Sequence, residues 1–390
     1  MKSPSSRKAK RVFGAAVAAA AMALPSAHPA FAEAAPEKGI VAYKFLSYED
    51  SQPGQKRMDI SASSLRVMTP IAGKWAIDVT GVYDSVSGAS PEFHNYIKHN
   101  TTTGASKLNP DTRKGIDVSV SRYFHSGSVT AGTSYSEESD YISRSVSLQG
   151  SLSTPSKNTT FTLGGSVTTD SIDPNNHVDA DLDRSKKIYA WLAGVTQVMS
   201  KNDIVQLNVG RSTGTGYYTD PYKTYDRRPS YRNYTTIMGR WNHYFEATDG
   251  STRATYRYYV DTFGIKAHTL GLEYVQPLPH EFTVAPQVRY YSQTAADFYV
   301  PVGPDERLDP STPTDPPAGA QVYSEDQRLS AFGAVTLGLK VSKRFAEEWL
   351  VDLRFDHYLQ RGRWALSGNP DYALADFSAN FVQIGISREF

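Results

Sequence analysis

Between Arg253 and Tyr299 the chain changes polarity at almost every second residue. Ala254, Tyr256, Tyr258 and Val260 fall on one side, and Arg253, Thr255, Arg257 and Asp261 on the other. Leu270, Leu272 and Tyr274 then alternate with Thr269, Gly271 and Glu273, and Phe282, Val284, Val288 and Tyr290 oppose Gln287, Arg289 and Gln293. A period of two marks β-strands with one apolar and one polar face. Soluble sandwiches alternate as well, with the apolar face turned inward. Segments of about ten residues or more, full charges on the polar face and aromatics near segment ends favour the inverse, with lipid outside and water inside.

The same pattern predicts strands at 39–50, 56–69, 74–85, 113–124, 127–136, 140–152, 158–169, 184–200, 203–213, 230–245, 251–262, 264–277, 281–294, 328–342, 348–360 and 376–390. Their number is about sixteen, within roughly 14–18 because alternation is weak in 39–69 and 184–200. An even number is what bacterial barrels require. Every second junction is a short turn: IAG, HSGS, TPSK, SKN, ATDG, LPH and FAEE. The other set includes 86–112, 170–183, 214–229, 295–327 and 361–375, long and rich in Asp, Pro, Asn and Tyr. Loop lengths segregated by parity predict an all-β fold, a transmembrane antiparallel up-and-down barrel with short periplasmic turns and long extracellular loops. Pro286, inside a predicted strand, is expected at a bulge.

The strings YRYYVDTFGIKAHTLGLEY, RYYSQTAADFY and YSEDQRLSAFGAVTLGLKV resemble the family catalogued as domain of unknown function 3570. The resemblance spans nearly the whole mature chain and is densest from Asp226 onward. It implies a Gram-negative outer-membrane barrel with no assigned activity, and it carries no catalytic residue over.

Composition changes the picture little. Mean hydropathy is −0.45, a soluble-looking value that barrels share because only alternate residues meet lipid. A net charge of +1 argues against nucleic acid as a partner, and the absence of cysteine removes disulfides and thiolate metal sites. Residues 1–32 read as a cleaved secretory signal. Lys2, Arg7, Lys8, Lys10 and Arg11 precede a short apolar core, and Ala30-Phe31-Ala32 offers the cleavage site. Residues 33–390 then form a single barrel domain. Val382, Ile384, Ile386 and Phe390 share a face and resemble the C-terminal signal read by the barrel-assembly machinery, with Arg388 as a departure. Outer-membrane lipid and lipopolysaccharide are the expected surroundings.

Extending the face assignment puts Arg240, Arg253, Arg257, Asp261, Glu273, Arg289, Asp352, Arg354 and Asp356 in the lumen. An arginine on the lipid face would cost about 2–4 kcal/mol at mid-membrane. These charges read in two ways: as a transverse field that filters small polar or anionic solutes, or as paired groups that fill the interior. In the segment DSIDPNNHVDADLDR, residues Asp170, Asp173, Asp179, Asp181 and Asp183 offer oxygen ligands without EF-hand spacing, so no metal is assigned. No cofactor motif is present. Asp261 and His268 flank a tight turn, which raises catalysis at the rim, although no serine nucleophile accompanies them. The proline-dense STPTDPPA at 311–318 reads as a mouth constriction or as decoration, and the tyrosine run 217–231 as a partner surface or, preferentially, a headgroup boundary. Three functions follow: a porin-like channel or docking barrel, a structural partner of another envelope protein, and a rim-located hydrolase.

Overall fold

The computed structural model describes residues 34–52, 55–88, 111–173, 184–220, 226–301, 317–372 and 374–390. The expected leader, 1–32, lies outside them. Sixteen strands form the wall: β1 (Ile40–Gln52), β2 (Gln55–Ile71), β3 (Trp75–Gly88), β4 (Asp111–Phe124), β5 (Gly127–Glu137), β6 (Tyr141–Ser153), β7 (Thr159–Ile172) and β8 (Arg184–Val198), followed by β9 (Asp203–Gly216), β10 (Tyr231–Phe245), β11 (Gly250–Asp261), β12 (Lys266–Leu278), β13 (Phe282–Gln293), β14 (Phe332–Phe345), β15 (Trp349–Arg361) and β16 (Phe377–Glu389). Each pairs antiparallel with its chain neighbours, and β16 closes on β1 from Ile40↔Glu389 to Ser51↔Ser378. Closure removes every sheet edge and satisfies the backbone within the wall.

All seven connections at one end are turns of a few residues, and three of them show their chemistry directly. Ala72 and Gly73, His280 and Glu281, and Ala346 and Glu347 have positive φ in adjacent pairs. Two successive positive φ values give a reverse turn whose twist matches that of the strands it joins. The opposite end carries the long connections 89–110, 173–183, 217–230, 294–331 and 362–376. We call these the turn end and the loop end.

Strand parity sorts the side chains. Val41, Leu65, Leu148, Leu163, Trp191, Leu207, Leu270, Leu337, Leu353 and Ile384 are exposed on the outer face. Outward aromatics gather at the turn end, among them Trp75, Phe124, Phe161, Trp241, Phe282, Phe345 and Trp349. Arg388 shares the outer rung of Val41, and its guanidinium meets Glu348 at 3.1 Å and lies over the Trp349 ring. It therefore sits in this aromatic band and not at mid-wall, which accounts for a charge on the outward face of β16. Ile384 and Ile386 face outward beside it, and Phe390 exchanges backbone hydrogen bonds with Gly39.

Two expectations are corrected. Pro286 makes no bulge: the register across β13 and β14 is continuous, and the missing N–H only interrupts the ladder to β12 between Gln287 and Val284. The irregularity lies instead between Glu49 and Ser51, where the Asp50 carboxylate accepts the Met58 N–H at 3.0 Å. Expected strand 328–342 begins later, at Phe332, because Gln327–Leu329 forms a 3-10 turn capped by Asp326.

Candidate functional site

The lumen is the one water-accessible surface shared by all sixteen strands, and its chemistry differs by wall. Arg240, Arg253, Arg257, Asp261, Glu273, Arg289, Asp352, Arg354 and Asp356 all have the inward parity of their strands, opposite the exposed leucines and aromatics. Some of these charges are paired. Arg253 donates to Glu273 at 2.8 Å, and Arg354 donates to Asp356 at 2.8 Å. Gln287 also reaches Asp356, at 2.6 Å, from two strands away. It does so across Gly338, the residue between them on the rung, where a Cβ would collide with both side chains.

Arg240, Arg257 and Arg289 are different. Arg257 and Arg289 donate to the hydroxyls of Thr269 and Thr336, at 3.4 and 3.3 Å, and none of the three has a carboxylate within ion-pair distance among the described residues. Arg240 and Arg289 lie on one rung, with Thr255 and Gly271 between them. Elsewhere on the inner face, β4 to β7 carry rows of hydroxyls: Ser121 meets Thr130, Ser128 meets Ser151, and Thr168 donates to Ser145. Across the ring from β10 and β11, inward charges are paired: Arg66 on β2 with Asp78 on β3, and Asp84 on β3 with Arg113 on β4.

Toward the loop end the inner face turns apolar on one side. Leu46, Tyr48, Met58, Ile60, Ala62 and Ala379 pack with Phe377 and Phe381, and Tyr358 links them to Phe332, Ala334 and Leu374. Here β1 and β2 carry apolar residues on both faces, which explains their weak alternation.

Above this layer the described residues 317–331 of the connection to β14 lie over the mouth. Gln327 accepts from Gln52 on β1 at 3.2 Å, while Ser324 and Asp326 bond to the β9–β10 connection. In a closed ring of sixteen, β1 and β9 are diametrically opposed. Ser324, Glu325, Asp326 and Leu329 are buried at 3% exposure or less, so the crossing is packed and not draped. Asp226–Arg227 and Tyr323–Ser324 form a two-rung ladder. An ionic cluster locks it: Arg228 contacts Asp226 and Asp326 at 2.8 Å, and Arg328 contacts Asp326 and Asp220. Burial works against both guanidiniums, but the adjacent carboxylates outweigh it and raise both above the usual arginine value. Phe263, Ile265, Ala296, Phe298 and Leu329 make an apolar core beneath, with Tyr218, Tyr259 and Tyr299 against it.

Sequence reasoning missed this cluster. Its residues stand in the tyrosine run 217–231 and in SEDQR; of that run Tyr218 packs on Phe263, Tyr231 is exposed, and Tyr222 and Tyr225 lie outside the described residues. The suggested rim pair is corrected. Asp261 faces inward and is consumed by Arg232, Tyr259 and the N–H groups of Phe263 and Ile265. His268 has the opposite parity and packs outside on Tyr256 and Tyr258. Asp170 ends β7 inward and pairs with Lys186 at 3.1 Å. Asp173 follows the strand, and Asp179, Asp181, Asp183 and residues 311–316 lie outside the described residues. No group of three or more potential metal ligands occurs among the described residues.

Residues 14–381 match the family described as "Protein of unknown function (DUF3570)". No curated protein matches the chain. A bacterial polysaccharide outer membrane secretin is 8% identical with a TM-score of 0.50, the alignment covering 90% of this chain and 98% of the secretin. The siderophore receptor PirA from Pseudomonas aeruginosa is 11% identical with a TM-score of 0.44 over 83% of this chain, which spans only 56% of the receptor's length. A Pseudomonas aeruginosa FadL homologue gives 10% and 0.40, covering 91% and 90%. The barrel resembles outer-membrane channels and receptors, and at these identities the likeness is one of fold.

Proposed function

Because the chain belongs to the DUF3570 family, whose description names no activity, we propose a function from the barrel's own chemistry: an outer-membrane channel for a small anionic polar solute, with the loop end outside. Residues 1–32 are, on this reading, removed on export, and both ends of the mature chain lie in the periplasm.

The observation that carries the proposal is the set of lumen arginines with no carboxylate within ion-pair distance among the described residues. Arg240, Arg257 and Arg289 stand on one wall of the lumen, Arg257 and Arg289 held by the neighbouring hydroxyls of Thr269 and Thr336. A purely structural role would pair each cation, as Arg253 and Arg354 are paired. Cations held without a carboxylate in a polar lumen set a positive potential that draws anions, and hydroxyls elsewhere on the inner face replace part of the water a polar solute sheds. The segment crossing the mouth narrows entry and limits the solute to a small one.

Planar-bilayer recording tests this. Replacing Arg240, Arg257 and Arg289 together with Gln should shift reversal potential toward cations, whereas Arg253→Gln should mainly lower stability by stranding Glu273. Unchanged selectivity in a conducting triple variant removes the arginines as a filter. A parent that inserts and never conducts removes the channel. In that case the buried crossing at the mouth favours the second reading, a docking barrel that holds a partner on its covered outer end.

A further inference from the structure

The outer wall of β9 to β13 carries a groove of about 540 Å³. Its floor is Gly239 and Ala254, and its sides are Trp241, Tyr256, Leu270 and Leu272. All six have outward parity. Nothing lies within 4 Å of where a Gly239 Cβ would stand, so the floor is open space facing away from the lumen.

Above the groove, on the same strands, stand two outward cations. Arg211 is six residues beyond Val205, which lines the groove on β9, and Lys266 is four residues before Leu270 on β12. At about 3.3 Å per residue they sit roughly 20 and 13 Å closer to the loop end. They share one outer rung, Arg211↔Thr235↔Val260↔Lys266, and three strand spacings separate them by about 14 Å. Arg211 donates to Thr235 at 2.8 Å, and neither cation has a carboxylate partner among the described residues. His268 lies on the outer face between Lys266 and the groove.

We propose that this strip is a lipid-binding site for an acylated sugar lipid bearing two phosphates, one on Arg211 and one on Lys266, with an acyl chain in the Gly239 groove. The inference rests on the membrane reading above. Groove and cations share a face, and their vertical order is that of a lipid with its chain toward mid-membrane and its head at the loop end. A soluble anion would satisfy the cations and leave the groove unused. A protein partner would have to displace lipid from a groove flanked by outward apolar residues such as Val205, Val288 and Tyr290. The spacing of the cations exceeds one phosphoglycerol head and suits a head group with an anion at each end.

The test uses the full mature chain in lipid discs of phosphatidylethanolamine doped with a bis-phosphorylated, acylated glucosamine disaccharide. Lipid retained through delipidation is counted by native mass spectrometry. The parent should retain the disaccharide lipid. Arg211→Gln with Lys266→Gln should lower retention about tenfold or more, as expected for lost charge-assisted contacts. Gly239→Leu, whose Cβ would meet nothing within 4 Å, puts a side chain into the groove and should lower it independently, while Lys201→Gln, at an exposed turn of the other end, should not. Equal retention in parent and double variant, or equal retention of the dephosphorylated lipid, overturns the headgroup assignment. Retention unaffected by Gly239→Leu overturns the groove. A parent that fails to insert counts against the membrane reading, whereas one that inserts and retains nothing counts against this site alone.

Discussion

Asp326→Asn tests whether the segment over the mouth is held in place by its ionic cluster. The Asp326 side chain is 1% exposed and accepts from Arg228 at 2.8 Å, from Arg328 Nε at 2.8 and 2.9 Å, and from the Arg328 backbone N–H at 3.0 Å. Asparagine keeps the shape but loses the charge, and it turns an NH2 group toward guanidinium donors. Replacing charge-assisted bonds to two arginines with neutral ones costs about 1.5 kcal/mol for each. The sum of roughly 3 kcal/mol lies at the low end for breaking a buried pair. Because the cluster ties a loop and not the wall, the loss should appear as local opening. Amide exchange at Tyr323–Leu329 should rise roughly a hundredfold while β1 to β16 keep their protection. Single-channel conductance should rise with it. Asp220→Asn, which weakens a longer, 3.3 Å contact to Arg328, should do the same more weakly. Exchange unchanged in the crossing segment for Asp326→Asn would refute the cluster as the element that holds it.

Gly338→Val should destabilise the barrel and break the bond between Gln287 and Asp356, because any Cβ there collides with both; heat-modified gel mobility of refolded variants reads this, and a Val variant as heat-resistant as the parent would sink the argument. Orientation is read by labelling. Cysteine at Ala318, exposed at the loop end, should react with an impermeant reagent on intact cells, while cysteine at Ser156, in a turn-end loop, should not; the reverse pattern would invert the topology.

Strand parity and loop-length parity were legible in the chain because both are local. A residue's face follows from its neighbours two positions away, and a membrane on one side with water on the other writes that period into every strand. The strands and their even number followed from that alone. Reading weakened in β1 and β2, where Leu46, Tyr48, Met58 and Ile60 make the inner face apolar and erase the contrast. What closure alone decided lies between residues far apart in sequence. Gln52 meets Gln327, Arg228 meets Asp326 and Arg328 meets Asp220, and no local pattern distinguishes such loop residues from solvated ones. The same holds for which arginines are paired. Arg253 finds Glu273 because the β11–β12 register sets them opposite, whereas Arg289 has Gly271 and Thr336 beside it on its rung. Parity is a property of one strand, but pairing is a property of register, and register exists only once neighbouring strands have docked and the ring has closed.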